Sequence, residues 1–366
     1  MLFIYFIHAF QATNSTKSPV ASVLYIFATM SGAAIYIFIA GFGMSYQDRS
    51  TPGKLAIRGI WMIAFQYLTN LLYVLSLLIP YPIVRNALST EGEETFHIML
   101  WIYLQFINIF FIAGIIYLVM ALLKKLRIPL IAYPFLAIVA AILAPLLYGI
   151  PLKLPVIGYV LSLLIGETPF VSFTPLYFLS YALIGVAVGK LYRRIRNKRL
   201  FYQRLIVVCL AVIFVWWVTV ALRINWSTEE WGDVSDLLSF EMIMDDAYSC
   251  PDIWHVTASL AHIGLFAGVL YFMEESLKKK RLYPESRGRI ASEFLFISKN
   301  ISKYYAIHLT VYLVAFGLHG YLGFDSGFCL VLMLISMIVT EVIVRIWLRI
   351  QDHFHKNFCQ TRNWFV

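Results

Sequence analysis

The sequence predicts an all-α, polytopic transmembrane bundle of about ten helices, and three observations predict it. Of 366 residues, 61% are hydrophobic and 13% charged, with a mean hydropathy of +0.77; an ordinary soluble domain carries about 25% charged residues. Apolar runs of spanning length recur from end to end, and none alternates as a barrel strand would. The basic residues fall in alternate loops, the charge pattern of a chain threaded back and forth across a bilayer.

Taken in order, the first element is Met1 to Phe10, which reads as the last two or three turns of a membrane helix. A span needs roughly 20 apolar residues, so this first helix is expected to be truncated. It has neither the basic leader nor the small-residue cleavage site of a signal peptide. After a polar turn, a second span covers about 20–46 and ends before Pro52 and Gly53. A third covers about 55–79, stopped by Pro80 and Pro82. An acidic loop with Glu91, Glu93 and Glu94 leads to a fourth at about 97–123, closed by Lys124, Lys125 and Arg127, and a fifth follows at about 129–150.

Residues 152–165 are apolar but short, which predicts an interfacial or re-entrant piece. The sixth span is about 171–188, followed by the densest basic cluster at 190–204, and the seventh is about 205–222. An acidic segment, 223–252, separates it from the eighth at about 253–272. The ninth covers about 291–318 and the tenth about 328–348. Residues 1–350 thus read as one transmembrane domain and 351–366 as a polar cytoplasmic tail.

With the N-terminus cytoplasmic, all but Lys17, Arg85, Lys153 and Arg223 of the 29 Lys and Arg fall on the inner side. That asymmetry predicts cytoplasmic N- and C-termini. It also excludes a nucleic-acid partner despite the net charge of +9, because the basic residues are topology signals in short loops and not one patch. Cys209, Cys250, Cys329 and Cys359 form no metal-ligand spacing and no disulfide framework, so no metal is expected.

The same orientation puts six of the eight histidines in the outer half or outside, leaving His353 and His355 within the cell. His8 stands at the outer end of the first helix; in water-poor surroundings a neutral imidazole takes a proton from a hydroxyl or amine, or an acyl group itself. A snorkelling residue at the interface is the alternative. His308 lies well inside the ninth span, with Tyr305 and Tyr304 three and four residues earlier on the same face. The two readings are a polar, water-accessible cavity or a hydrogen-bonded packing residue. Asn300, with Ser298 and Ser302, belongs to the same inner mouth.

His255 and His262 are two turns apart on one face, too far for joint metal ligation. Gln105 and Asn108 are polar inside the fourth span, and their i,i+3 spacing predicts a shared bundle-facing side. Arg58 opens the third span on the cytoplasmic side, as a topology anchor or as a phosphate ligand. Gly185 and Gly189 form a GxxxG, and 39–45 holds Gly41 and Gly43; both are helix-contact surfaces that also permit a homo-oligomer.

Several stretches, in this order, resemble the integral-membrane acyltransferase superfamily of heparan-alpha-glucosaminide N-acetyltransferase and the bacterial acyltransferase type 3 proteins. They are His8 between Phe6 and Phe10, then Phe38, Phe42 and the glycines beside them, then Arg58-Gly59. Next come Leu104-Gln105 with Ile107 and Asn108, Pro175 with Tyr181, Gly185 and Gly189, and Ser302 with Tyr305 and His308. The similarity spans nearly the whole chain, although each motif alone is weak. It implies an acyl-CoA donor, usually acetyl-CoA, reaching the site from the cytoplasm, and a hydroxyl or amine of a glycan or glycolipid modified on the far side of the cell membrane. His8 corresponds to the family's catalytic histidine. One departure is the family's arginine about ten residues before that histidine, a position that would precede Met1; a start placed too far downstream, or a shortened chain, would account for it.

The expectation is therefore a membrane-bound O- or N-acyltransferase. Its expected catalytic residues are His8, His308 and Tyr305, and Arg58, Gln105, Asn108 and Asn300 are its candidates for holding acetyl-CoA. The alternative is a transporter or flippase for a polar lipid or glycan, since proton relays use the same residues. A sensor or scaffold without catalysis is a third reading.

Overall fold

A computed structural model of the chain describes residues 5, 32–45, 51–79, 81–84, 90–147, 163–165, 174–223, 253–279, 292–293, 296–297, 299–322 and 328–362. Among these the chain is helical and contains no β-strand, as the all-α expectation requires. The helices are α1 (Gly32–Ser45), α2 (Pro52–Leu78), α3 (Tyr81–Val84), α4 (Thr90–Gln105), α5 (Ile109–Lys125), α6 (Ala132–Leu147), α7 (Pro175–Arg194), α8 (Lys198–Arg223), α9 (Ile253–Lys279), α10 (Ile301–Leu322) and α11 (Phe328–Arg362). The first helix apart from Tyr5, the short piece at 152–165 apart from its last three residues, and the acidic segment after Arg223 lie outside the described residues.

Among the described residues, five stretches are long and apolar enough to cross a membrane: Pro52–Leu78, Pro175–Arg194, Lys198–Thr219, Ile253–Ser276 and Val331–His353. These are the helices of a multi-pass membrane protein. Their outward faces agree with that. On α8, Val207, Val208 and Phe214 are 67%, 60% and 69% exposed, a continuous apolar surface that suits lipid and not water.

The chain divides into two units, a larger one of Thr16–Leu71 with Thr95–Lys280 and a smaller one of Met1–Ser15, Leu72–Glu94 and Arg281–Val366. In the larger, α6 packs on α7 and α8 on α9. Small residues let α1 and α7 approach closely. A Cβ added at Gly41 would strike the carbonyl of Ala182, one at Gly185 the carbonyl of Phe38, and one at Gly189 the carbonyl of Phe42 at 2.7 Å. Lipid offers helices little apolar driving force, so backbone approach of this kind is what holds them. The GxxxG of α7 is thus occupied by α1 of the same chain rather than left for a second copy.

The fourth span departs from expectation. It is not one helix over 97–123 but two, because α4 stops at Gln105 and α5 starts at Ile109. Between them Asn108 takes an extended conformation (φ −118°, ψ −174°), and its Oδ1 accepts the Ile109 N–H at 2.7 Å. The break strips carbonyls of their helical donors, and α2 supplies replacements. Asn70 Nδ2 donates to the carbonyls of Leu104 (3.1 Å) and Phe106 (2.8 Å), and Gln66 Nε2 donates to Asn70 Oδ1 (2.6 Å) and to Phe106 O (3.3 Å). Gln66 Oε1 in turn accepts the Phe111 N–H at 3.4 Å. Irregular backbone at this depth is tolerated only when protein groups satisfy it, and Gln66, Thr69 and Asn70 are fully buried.

In the smaller unit α10 and α11 form an antiparallel pair, with α3 touching α10. Helical residues at 292–293, 296–297 and 299 precede α10, with Asn300 in a turn before it. α11 does not end at 348 but continues to Arg362, so most of the expected tail is helical. Its 35 residues rise about 52 Å, well past a hydrocarbon core of about 30 Å.

Candidate functional site: a buried histidine among tyrosines

His308 stands in the second turn of α10 and is fully buried. A helical side chain leans toward its own N-terminus, and here the lean brings Nδ1 to 3.0 Å from the Tyr304 carbonyl, four residues back. A carbonyl only accepts, so Nδ1 carries the hydrogen and the neutral ring presents its basic lone pair at Nε2. Local helix geometry alone therefore selects one tautomer.

Three phenol rings surround it. Tyr305 lies at 5.0 Å between centroids, Tyr5 at 5.2 Å and Tyr312 at 6.2 Å, all edge-on. Tyr305 thus occupies the place that the i,i+3 spacing predicts. Tyr304 meets His308 through its carbonyl rather than its phenol, which turns away to α11. The first segment enters at Tyr5, three residues before His8, whose own position lies outside the described residues. The Tyr5 carbonyl accepts from the Tyr312 hydroxyl at 2.7 Å, and Ser336 on α11 donates to the Tyr312 oxygen at 2.7 Å. The Tyr5 phenol faces the hydroxyl of Thr340, itself fully buried.

One turn toward the start of α10 the cluster becomes charged. The Tyr304 hydroxyl donates to Glu341 Oε2, Arg345 Nε donates to Glu341 Oε1, and the other end of the guanidinium reaches Glu293 at 2.6 Å. Arg345 also lies over the ring of Phe296 at 4.7 Å. The Arg345–Glu293 pair, with side chains 42% and 49% exposed, contributes about 0–1 kcal/mol. A carboxylate within an apolar span is costly, which makes Glu341 a candidate functional residue. Thr340 and Glu341 are what reading the sequence missed. The signal was there: a Glu inside the tenth span, with an Arg at i+4.

The remaining candidates fall into two groups. Asn300 stays with the smaller unit, two turns before His308, where it shapes the start of α10. Its carbonyl accepts the N–H of Lys303 and Tyr304, its Nδ2 donates to Phe296 O at 3.0 Å and its Oδ1 accepts from Lys303 Nζ at 3.3 Å. Arg58, Gln105 and Asn108 belong to the larger unit. Arg58 is exposed on α2, its guanidinium 5.5 Å from the ring of Tyr117. Gln105 and Asn108 do not share a helical face as their spacing predicts, because the helix ends between them: Gln105 is half-buried at the end of α4, and Asn108 caps α5.

His255 and His262 do share a face, and both flank the indole of Trp216, at 6.0 Å and 6.4 Å. His97 is exposed beside Phe96. Comparison of the chain with family models, with curated proteins and with solved structures returns no match.

Proposed function

We propose that the chain is a membrane-bound acyltransferase that moves an acyl group, acetyl in the first instance, from acyl-CoA to a hydroxyl or amine of a glycan or glycolipid acceptor. The observation that carries this reading is His308: a buried imidazole held in one tautomer, its basic nitrogen at Nε2, among three phenols. Such a ring is set to take or return a proton, and phenols beside it polarise an acyl carbonyl. The order of the sequence motifs supports the same reaction. The proposed frame has ten crossings in the cell membrane, with both termini in the cytoplasm, so that acyl-CoA enters from the inside and the acceptor from the outside.

In this reading His8 is the general base or transient acyl carrier, and His308 with Tyr305 completes the site. Arg58 meets the CoA phosphates; it is exposed and permanently charged, which suits the role. Asn108 and Asn300 are less suited, since both use their side-chain oxygens locally. Purified protein warmed with saturating acetyl-CoA is expected to melt at a higher temperature than without it. Transfer of labelled acetyl is expected to vanish in His8→Ala. Full transfer in that variant, or no thermal shift at all, would remove the assignment.

The second reading, a transporter or flippase, is favoured by one observation, the discontinuous α4–α5 helix. Such breaks hold substrates or ions in many transporters. Here Asn70, Gln66 and Asn108 already satisfy the carbonyls of Leu104 and Phe106 and the N–H of Ile109 and Phe111. The break therefore supports this reading less than His308 supports acyl transfer.

A further inference from the structure

We propose that the α7–α8 hairpin and the outward face of α8 form a binding site for an anionic phospholipid. Its phosphate sits among the hairpin cations and its acyl chains run along α8. The site lies within the larger unit and stands whether or not the chain transfers an acyl group. Seven of the fifteen residues from 190 to 204 are Lys or Arg, and none is acidic. Only Ile195, Arg196 and Asn197 separate the end of α7 from the start of α8, so the charges of two helix ends converge. Arg193, Arg194, Arg196, Lys198, Arg199 and Arg204 are all exposed. Clusters of about four to eight such cations beside a membrane helix attract anionic headgroups.

Orienting the helices requires positive charge on one side, but two features go beyond that need. The first is that the hairpin is held against aromatic rings. Lys198 Nζ lies 4.9 Å from the centroid of Tyr192, Tyr192 meets Phe201 and Tyr202 edge-on at 6.1 Å, and Tyr202 stacks on Tyr271 of α9 at 4.3 Å. Asn197 Oδ1 accepts the Leu200 N–H at 3.0 Å and fixes the start of α8. The cations are thus presented beside an aromatic belt, the level at which headgroups lie. Glu274 and Glu275 of α9 act on Tyr202 and Tyr271, and the seven cations outnumber these two carboxylates.

The second feature is that the cations head an apolar stripe. Arg204, Val208, Ala211 and Val215 follow one another at helical spacing on α8, with Val207 and Phe214 beside them, and all six are exposed. The opposite face belongs to α9: a Cβ added at Gly264 would meet Cys209 Sγ at 2.7 Å, and one at Gly268 would meet Ile206 at 2.5 Å. Charge at the head and an apolar surface below it match a ligand with an anionic head and apolar chains. A soluble phosphate uses only the first part. A second copy of this chain paired symmetrically along α8 would bring two basic hairpins together.

The test titrates the purified full chain in detergent with phosphatidylglycerol or with phosphatidylcholine of the same acyl chains, and native mass spectrometry counts the bound lipid. Three cations in contact, each contributing a factor of about five, give an expected preference for phosphatidylglycerol on the order of a hundredfold. The combined variant Arg196→Gln, Arg199→Gln and Arg204→Gln should lose most of that preference and bind phosphatidylcholine as wild type does. Removing three charges at the end of α5 (Lys124→Gln, Lys125→Gln and Arg127→Gln) should leave the preference intact, because much of α5 is buried. Equal affinity of wild type for the two lipids, or equal losses in the two variants, overturns the site. Displacement of the lipid by glycerol 3-phosphate or coenzyme A at matched concentration also overturns it, in favour of a soluble phosphate. If the hairpin variant fails to fold, photoactivatable phosphatidylglycerol on wild type decides. Labelling concentrated on residues 204–215 supports the site, and labelling spread evenly over the outward faces of the other helices overturns it.

Discussion

His262 on α9 and His308 on α10 are both buried inside apolar helices, and both bring Nδ1 to the carbonyl four residues back, at 2.7 Å and 3.0 Å. That bond gives the two rings the same tautomer and the same basic nitrogen, Nε2. Their surroundings differ. His262 turns toward the indole of Trp216, while two phenols of the larger unit, Tyr177 and Tyr181, bond to each other through their hydroxyls. His308 has three phenols about it, and the hydroxyl of nearby Tyr304 donates to a carboxylate. A helix can orient an imidazole by itself, but what the ring meets depends also on neighbours from other elements, here Tyr5. The contrast extends to the units. In the larger, buried polar groups repair a broken helix; in the smaller, they converge on one ring.

The sharpest way to break this contrast is to remove each ring in turn. Both His308→Ala and His262→Ala are expected to lose about 0.5–3 kcal/mol of stability. Only His308→Ala should lose acetyl transfer, by about 10²–10⁴-fold. Equal turnover losses, in an assay normalised to folded protein, would make the tyrosine surroundings irrelevant.

The repair role of the larger unit is tested by Asn70→Leu. It leaves the carbonyls of Leu104 and Phe106 with fewer donors at a buried break, for about 1–3 kcal/mol. The variant should melt earlier while its folded fraction keeps wild-type KM for acetyl-CoA. A change in KM with no change in melting would turn the break into a binding site and strengthen the transporter reading.

Glycines on α1 sharpen the packing side of the same contrast. Gly41→Ala pushes a methyl group into the Ala182 carbonyl and is expected to cost about 1–3 kcal/mol. Gly43→Ala meets nothing within 4 Å and should be neutral, or up to about 1 kcal/mol stabilising, through helix propensity alone. Thermal melts of the pair in one detergent give the comparison directly. The smallest effect belongs to Glu293→Gln, about 0–1 kcal/mol, since it breaks an ion pair half in solvent. A loss of several kcal/mol there would mean that Arg345 is held for stability rather than for the cluster.

Much of this was legible in the residues. The spans at 55–79, 171–188, 205–222, 253–272 and 328–348 correspond to α2, α7, α8, α9 and α11, because a run of apolar side chains long enough to cross lipid has few alternatives to a helix. The pairing of Tyr305 with His308 followed from the helical repeat, and so did that of His255 with His262. Each depends only on spacing within one helix. What spacing could not reveal was the α4–α5 break. Asn108 caps as readily as it faces a bundle, and the choice is made by Gln66 and Asn70, about forty residues away on α2. Nor could it join Glu341 to Tyr304, 37 residues apart.

By itself, then, the sequence determined that the chain is helical and repeatedly apolar enough to span a bilayer, and that His308 has phenols on its own helix. Those are properties of one chain segment and its solvent. Only the tertiary structure decided that Tyr5 completes the surroundings of His308, that Glu341 attends Tyr304, and that α4 and α5 are separate helices. The physical reason is that a buried polar group is settled by its hydrogen-bond partners, and these come from other helices whose approach no local pattern encodes.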